Sequence, residues 1–260
     1  MSTDVILVDR DADIATVTLN RPEKLNALTK PMWQRLGEVM RELSSDDSLR
    51  CVVLRGAGVK SFAPGNDISE FANTRSNSAQ AREYGVVHHE ALAALHECRH
   101  PMVALIHGIC VGGGLEIAAL CDLRICGTSS RFGIPINRLG LTLGPREMQG
   151  LLSLVGKAVT LEILLEGRVF GADEALQKGL VTRVVADDKV EEEAYATARR
   201  LADGAPLVAR WHKKFMRRLH DPAPLTEAEL DEGYACYDTE DFRAGYRAFL
   251  AKSKPGFKGR

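Results

Sequence analysis

"GICVGGGLEIAALCD", residues 108–122, is the stretch on which the fold turns. Three consecutive glycines (Gly112, Gly113, Gly114) open an apolar run that carries one carboxylate, Glu116, in its middle. Each is unfavourable alone: glycine weakens a helix interior, and a buried ionised acid is costly unless partnered. The residues before it, "MVALI" at 102–106, read as a buried strand. The glycines then mark a strand-to-helix turn, with the helix starting near Gly113. N–H groups at a helix start have no intrahelical acceptor and lie at the positive end of the dipole. Glycine lets a ligand approach them, which describes an oxyanion hole, a set of donors aimed at charge developing on a carbonyl oxygen. Glu116, one turn further along, is placed to move protons on the same ligand. A close-packing turn with an exposed or hydrogen-bonded glutamate accounts for these residues equally well.

A second loop tips that balance. "SFAPGNDISEF" (61–71) is again backbone shaped by Gly and Pro ahead of a short helix, with Asn66 at its entrance. Two such loops can point two N–H groups at one carbonyl oxygen. Around them, 5–9 and 14–20 read as short strands joined by the polar turn "RDAD". "TKPMWQRLGEVMRELSSD" reads as a helix capped by Thr29, and "CVVLRG" (51–56) as a strand. Residues 56–78 read as a long loop with a short helix near 68–72, followed by a helix over about 80–98. Strand "DLRIC" (122–126), a short helix closed by Gly179 with a strand after it, and the helix "DDKVEEEAYATARRLAD" complete an α/β body. From Pro206 the chain is helical and charged, suited to packing or oligomerisation.

Composition narrows the function classes. The 260 residues are 45% hydrophobic and 27% charged, with a formal net charge of −1, so no field for nucleic acid or a membrane surface is expected. The six cysteines form no C-x-x-C pair, and the N-terminal stretch lacks a basic region followed by a long apolar one; both predict a cytoplasmic protein with reduced thiols. The most membrane-like segment, 101–121, is interrupted by His107, the glycines and Glu116, which argues against a span. "HECRH" (96–100) matches the H-E-x-x-H zinc pattern, but Pro101 ends the helix there, so no metal site is expected. "GAGVKS" (56–61) has the wrong spacing for a P-loop, and no G-x-S-x-G elbow occurs.

Taken together, "RPEKLNAL" (21–28), "SFAPGNDISEF" (61–71), "HPMVALIHGICVGGGLEIAALCDLRIC" (100–126), "FGIPINRLGLTLG" (132–144), "GRVFGADEALQKGLVTRVV" (167–185) and "TEDFRAGYRAFLAKSKPGF" (239–257) resemble the enoyl-CoA hydratase/isomerase (crotonase) superfamily. The blocks follow that family's order along nearly the whole chain. The resemblance implies a spiral of ββα units over residues 1–200, with a C-terminal helical region, 201–260, that forms trimers or dimers of trimers. It implies an acyl-CoA thioester as substrate, with coenzyme A as part of the substrate and no separate cofactor.

The same resemblance places the oxyanion donors at the N–H groups of Asn66 and Gly113, and the acid/base at Glu116. CoA is implied along Lys24, Leu25 and Ala27, against Asp67 and Ile68, with help from Phe249 and Lys252 on a C-terminal helix. Hydratases of the family carry a second glutamate after the proline of an F-G-x-P-E block; this chain has Ile136 there. It also has "PREMQG" where small residues are the rule, putting Arg146 and Glu147 beside the acyl end. Glu147 is therefore expected either to supply a second carboxylate, or with Arg146 to recognise a polar acyl group, or to form a surface ion pair at a helix start. The activity implied first is hydration of a 2-enoyl-CoA. Double-bond isomerisation follows, which one carboxylate can perform, and then decarboxylation or hydrolysis of a specialised acyl-CoA. A member that binds CoA thioesters without turnover is the alternative from another class.

Overall fold

The computed structural model describes residues 4–260. Strands β1 (Ile6–Asp11) and β2 (Ile14–Leu19) form an antiparallel hairpin whose turn holds Ala12 at φ 53°. Helix α1 (Lys30–Ser45) begins where Thr29 accepts a hydrogen bond from the Met32 N–H, with Pro31 in its first turn. The chain then advances by repeated strand–strand–helix steps. Strands β3 (Cys51–Gly56) and β4 (Ser61–Ala63) precede the short α2 (Phe71–Thr74) and α3 (Ser78–Glu97). Strands β5 (Met102–Ile106) and β6 (Ile109–Val111) lead into α4 (Gly113–Leu120), and β7 (Leu123–Gly127) and β8 (Arg131–Gly133) into α5 (Pro145–Glu166).

Within each step the first strand joins one sheet and the second joins another. The large sheet runs β1-β2-β3-β5-β7-β10 and the small one β4-β6-β8-β9, with β9 at Phe170–Gly171 and β10 at Arg183–Val185. From β2 to β10 the large sheet is parallel, in the register Val53–Val103 and Val103–Leu123. Both its faces are covered, as parallel sheets require. Val52 and Leu54 face a core shared with α1, α3 and α4, while Cys51 and Val53 face α7 (Val190–Ala202) through Val190, Ala194 and Ala198. Helix α6 (Ala172–Gln177) lies between β9 and β10 and is closed near Gly179, as expected.

Two expectations need correction. The strand at 102–106 does not run straight into the glycine turn: the chain reverses at Gly108 and forms β6 first. The loop at 56–78 contains β4. Helix α5, for which the sequence reading supplies only a beginning, is long and apolar enough to cross a membrane by length and composition. Its backbone leaves helical geometry at Gly156 (φ 72°, ψ 175°), which divides it into two shorter helices. It leaves Leu152, Leu161 and Leu165 exposed.

Helices α8 (Pro206–Leu219), α9 (Glu227–Glu232) and α10 (Glu240–Leu250) complete the chain. Lys213 on α8 reaches the body, donating to the His100 carbonyl and the Asp122 carboxylate at 2.7 Å each. Five cysteines (Cys51, Cys98, Cys110, Cys121, Cys126) are buried free thiols, and Cys236, between α9 and α10, is partly exposed. Burial pushes Cys51, Cys121 and Cys126 up to about 12.

Candidate active site

Gly112 is the N-cap of α4 and Gly113 its first residue, so the Gly113 N–H has no acceptor within the helix. The start of α4 lies directly on β4: a Cβ at Gly114 would fall 2.2 Å from the Ala63 carbonyl oxygen. Only glycine allows that approach. The second loop arrives from the end of β4. Gly65 has φ 104°, and a Cβ there would stand 3.1 Å from the Gly113 nitrogen. Leu28 then fixes the next residue: its N–H donates to the Gly65 carbonyl and its carbonyl accepts from the Asp67 N–H, each at 2.8 Å. This parallel bridge turns the Asn66 N–H away from Leu28. Neither the Asn66 nor the Gly113 N–H donates any of the hydrogen bonds of the turns, loops and caps. Two adjacent free donors are the arrangement an oxyanion hole needs.

The Asn66 side chain is tethered from behind. Its Oδ1 accepts from Trp33 Nε1 at 2.6 Å and from the Tyr84 hydroxyl at 3.3 Å. Burial pushes the Tyr84 phenol up to about 12, which keeps the hydroxyl protonated as a donor. The Arg75 guanidinium lies 3.6 Å from the Tyr84 ring centroid.

Glu116 follows on α4 and is 7% exposed. Its Oε2 lies 3.0 Å from Nε2 of His88, which is itself 3% exposed. The two atoms are close but not aligned as a hydrogen bond, and among the described residues neither buried atom has a hydrogen-bond partner. The His88 ring packs on Trp33, with centroids 4.2 Å apart. On its other side His88 Nδ1 is 3.7 Å from Glu147 Oε1. Among the described residues Glu147 forms no ion pair with Arg146, one of its three expected roles. One oxygen accepts from the Gly144 N–H at the start of α5, and the other lies 3.0 Å from His89 Nε2. Sequence reasoning missed both His88 and Trp33. The available signal was weak: a polar residue set in the stripe Tyr84, His88, Leu92, Leu95 that α3 buries.

The remaining predicted positions are spread over several elements. Lys24 ends the short turn Pro22–Lys24, and Leu25, at φ 54°, and Ala27 follow it. Arg21 ties this turn to the second loop, donating to the Ala27 carbonyl at 2.8 Å and to Asp67 at 2.9 Å. Ser69, ahead of Arg21 in effect, holds the Asp67 carboxyl below its usual range. Ile68 is exposed. Ile136 is half-buried against the core, in a turn of helix at Pro135–Leu139. Arg146 is exposed at a concavity of about 580 Å³ shared with His89 and Glu147. Phe249 is 82% exposed on α10, and Lys252 lies past the end of that helix at φ 51°, not on it as expected. Helix α3 ends at Glu97, so His96 and His100 do not share a helical face.

Residues 9–260 match the enoyl-CoA hydratase/isomerase family. The chain belongs to the enoyl-CoA hydratase/isomerase family. Among curated relatives, it is 33% identical to a short-chain-enoyl-CoA hydratase of Clostridium acetobutylicum, with 100% of each chain covered. It is 31% identical to a 2,3-dehydroadipyl-CoA hydratase of Escherichia coli, over 98% of this chain and 99% of the relative. Among solved structures, an enoyl-CoA hydratase/carnithine racemase from Magnetospirillum magneticum superposes with a TM-score of 0.98 at 50% identity, covering 100% of this chain and 97% of that one. The two-sheet spiral is therefore the crotonase fold, and family membership implies an acyl-CoA thioester as substrate.

Proposed function

We propose that this chain hydrates a 2-enoyl-CoA thioester. The paired free donors at Asn66 and Gly113, with Glu116 one turn along the same helix, carry the reading. The thioester oxygen accepts from both N–H groups, so negative charge that develops during addition is stabilised without rearrangement. The Glu116 carboxylate takes a proton from water as the oxygen adds at C3. The resulting carboxylic acid then delivers a proton to C2, returning to the carboxylate. One acid can thus close the cycle, since the proton removed and the proton delivered balance. The exposed turn at Lys24, Leu25 and Ala27, the edge at Asp67 and Ile68, and Phe249 and Lys252 are the positions for CoA.

Isomerisation is the second reading, favoured by Ile136: with an apolar side chain where a second acid would activate water, Glu116 can instead carry one proton between C2 and C4. A panel of 2-enoyl- and 3-enoyl-CoA thioesters separates the two by product. In either case Glu116→Gln should lower kcat by roughly 10²–10⁴-fold while CoA binding persists. An undiminished rate in that variant refutes the mechanism. Binding without turnover by the native chain assigns it instead to the non-catalytic alternative.

We also infer a homo-oligomer, a trimer or a dimer of trimers, because Leu161, Leu165, Phe249 and Leu250 leave apolar area on α5 and α10 that a single chain does not cover. Sedimentation equilibrium at micromolar concentration should give a multiple of three chain masses; the mass of one chain would refute it.

A further inference from the structure

We infer that His88 is a proton-relay residue linking the buried Glu116 to solvent through Glu147 and His89. This rests on Glu116 being the acid/base, and it answers where a member without the second glutamate holds the proton taken from water between addition at C3 and its return through Glu116 to C2. The geometry is continuous. Glu116 Oε2 is 3.0 Å from His88 Nε2, His88 Nδ1 is 3.7 Å from Glu147 Oε1, and that same oxygen is 3.0 Å from His89 Nε2. Side-chain exposure rises along the chain of groups, from 6% and 4% at Glu116 and His88 to 19% and 27% at Glu147 and His89. The outer pair lines the surface concavity between α3 and α5.

A merely structural histidine explains this arrangement poorly. A buried polar side chain normally ends in an aligned hydrogen bond, yet His88 Nε2 and Glu116 Oε2 face each other off axis, with no other partner. Such a pair is set for an interaction that tightens when substrate arrives, as catalytic contacts do. The step itself is a pair of proton transfers, with no change of oxidation state. With the ring proton on Nδ1, Nε2 accepts the proton of the Glu116 carboxylic acid, and Nδ1 releases its own toward Glu147 Oε1. Only O–H and N–H bonds form and break. The reverse transfer reprotonates Glu116 and restores the first tautomer. The gap of 3.7 Å closes by a small side-chain rotation or by one bridging water.

The charged and titratable groups around His88 are Glu116 from α4, Glu147 and the neighbouring Arg146 from α5, and His89 and Tyr84 on α3; α1 presents the neutral Trp33 indole. The test is the pH dependence of kcat for the native protein, His88→Gln, Glu147→Gln and the double variant on the thioester that the native protein turns over. His88→Gln should lower kcat roughly tenfold or more with KM little changed, and should displace the pH profile. Glu147→Gln should act in the same direction, and the double variant should be no worse than His88→Gln, since the two share one route. A native-like profile in His88→Gln, or losses that multiply in the double variant, overturns the relay. His88→Phe, which keeps an aromatic ring against Trp33, repeats the measurement if the amide does not fold. Should both His88 variants fail, an unchanged profile in the partly exposed Glu147→Gln is enough to reject it. Glu116→Gln is run alongside: a fully active Glu116→Gln removes the parent mechanism, whereas an inactive one beside a native-like His88→Gln removes only the relay.

Discussion

Trp33 is fully buried in α1 and gives its indole N–H to Asn66, while its ring supports His88. It therefore braces Asn66, the proposed donor, on one side and His88, beside the proposed acid, on the other. Trp33→Phe removes the N–H and part of the ring volume. The expected cost is about 1–3 kcal/mol of stability, from the lost hydrogen bond and the void. Turnover should fall roughly tenfold as the Asn66 donor loses its aim, a smaller effect than deleting an oxyanion donor outright. Denaturant midpoints and kcat check both parts, and an unchanged kcat would show that the tether does not hold the loop in place. The same residue shows the limit of reading a site from sequence. Asn66, Gly113 and Glu116 are legible because glycine-shaped loops and an acid in an apolar run are local signals. Trp33 and His88 are not, because only tertiary packing decides which face of α1 and α3 meets those loops.

At the scale of elements, the sequence was most readable where an element follows its own period. Helices α1 and α7 carry caps or acids at one end and apolar stripes, and β3 and β5 are short buried apolar runs; all stand close to where they are expected. The small sheet was invisible. Its strands β4, β6 and β8 are three residues long and β9 is two, too short to show a pattern, and they are held by partners distant in the chain. Helix α5 escaped for the opposite reason: its apolar residues lie on all sides and a left-handed glycine interrupts it, so no single face announces a helix. Both bear on the candidate site, since β4 leads to Asn66 and α5 carries Glu147.

For the molecule as a whole, His100 connects fold and pH. It is fully buried where the chain enters β5, and burial, helped by Arg210 and Arg99, lowers its pKa from 6.5 to about 4. In the unfolded chain it titrates near 6.5. As pH falls, the unfolded state therefore takes up the proton first, so stability is complete above about pH 6.5 and declines between 6.5 and about 4. The loss from this one group is about 3 kcal/mol by the foot of that window. Carboxylates held low by partners, such as Asp46 near 2, act only at lower pH. Urea midpoints across pH 4–7 should show the decline, and His100→Leu should flatten it even if the variant is less stable overall.

The distribution of the thiols gives the chain a single chemical address. Five sulfurs lie inside the folded body and one, Cys236, lies between the last two helices. Thiol-directed oxidants and alkylating reagents act on exposed thiolates, so the native protein meets them at one thiol per chain, while the buried thiols remain unmodified until it unfolds. Thiol damage by an oxidising environment therefore begins between α9 and α10.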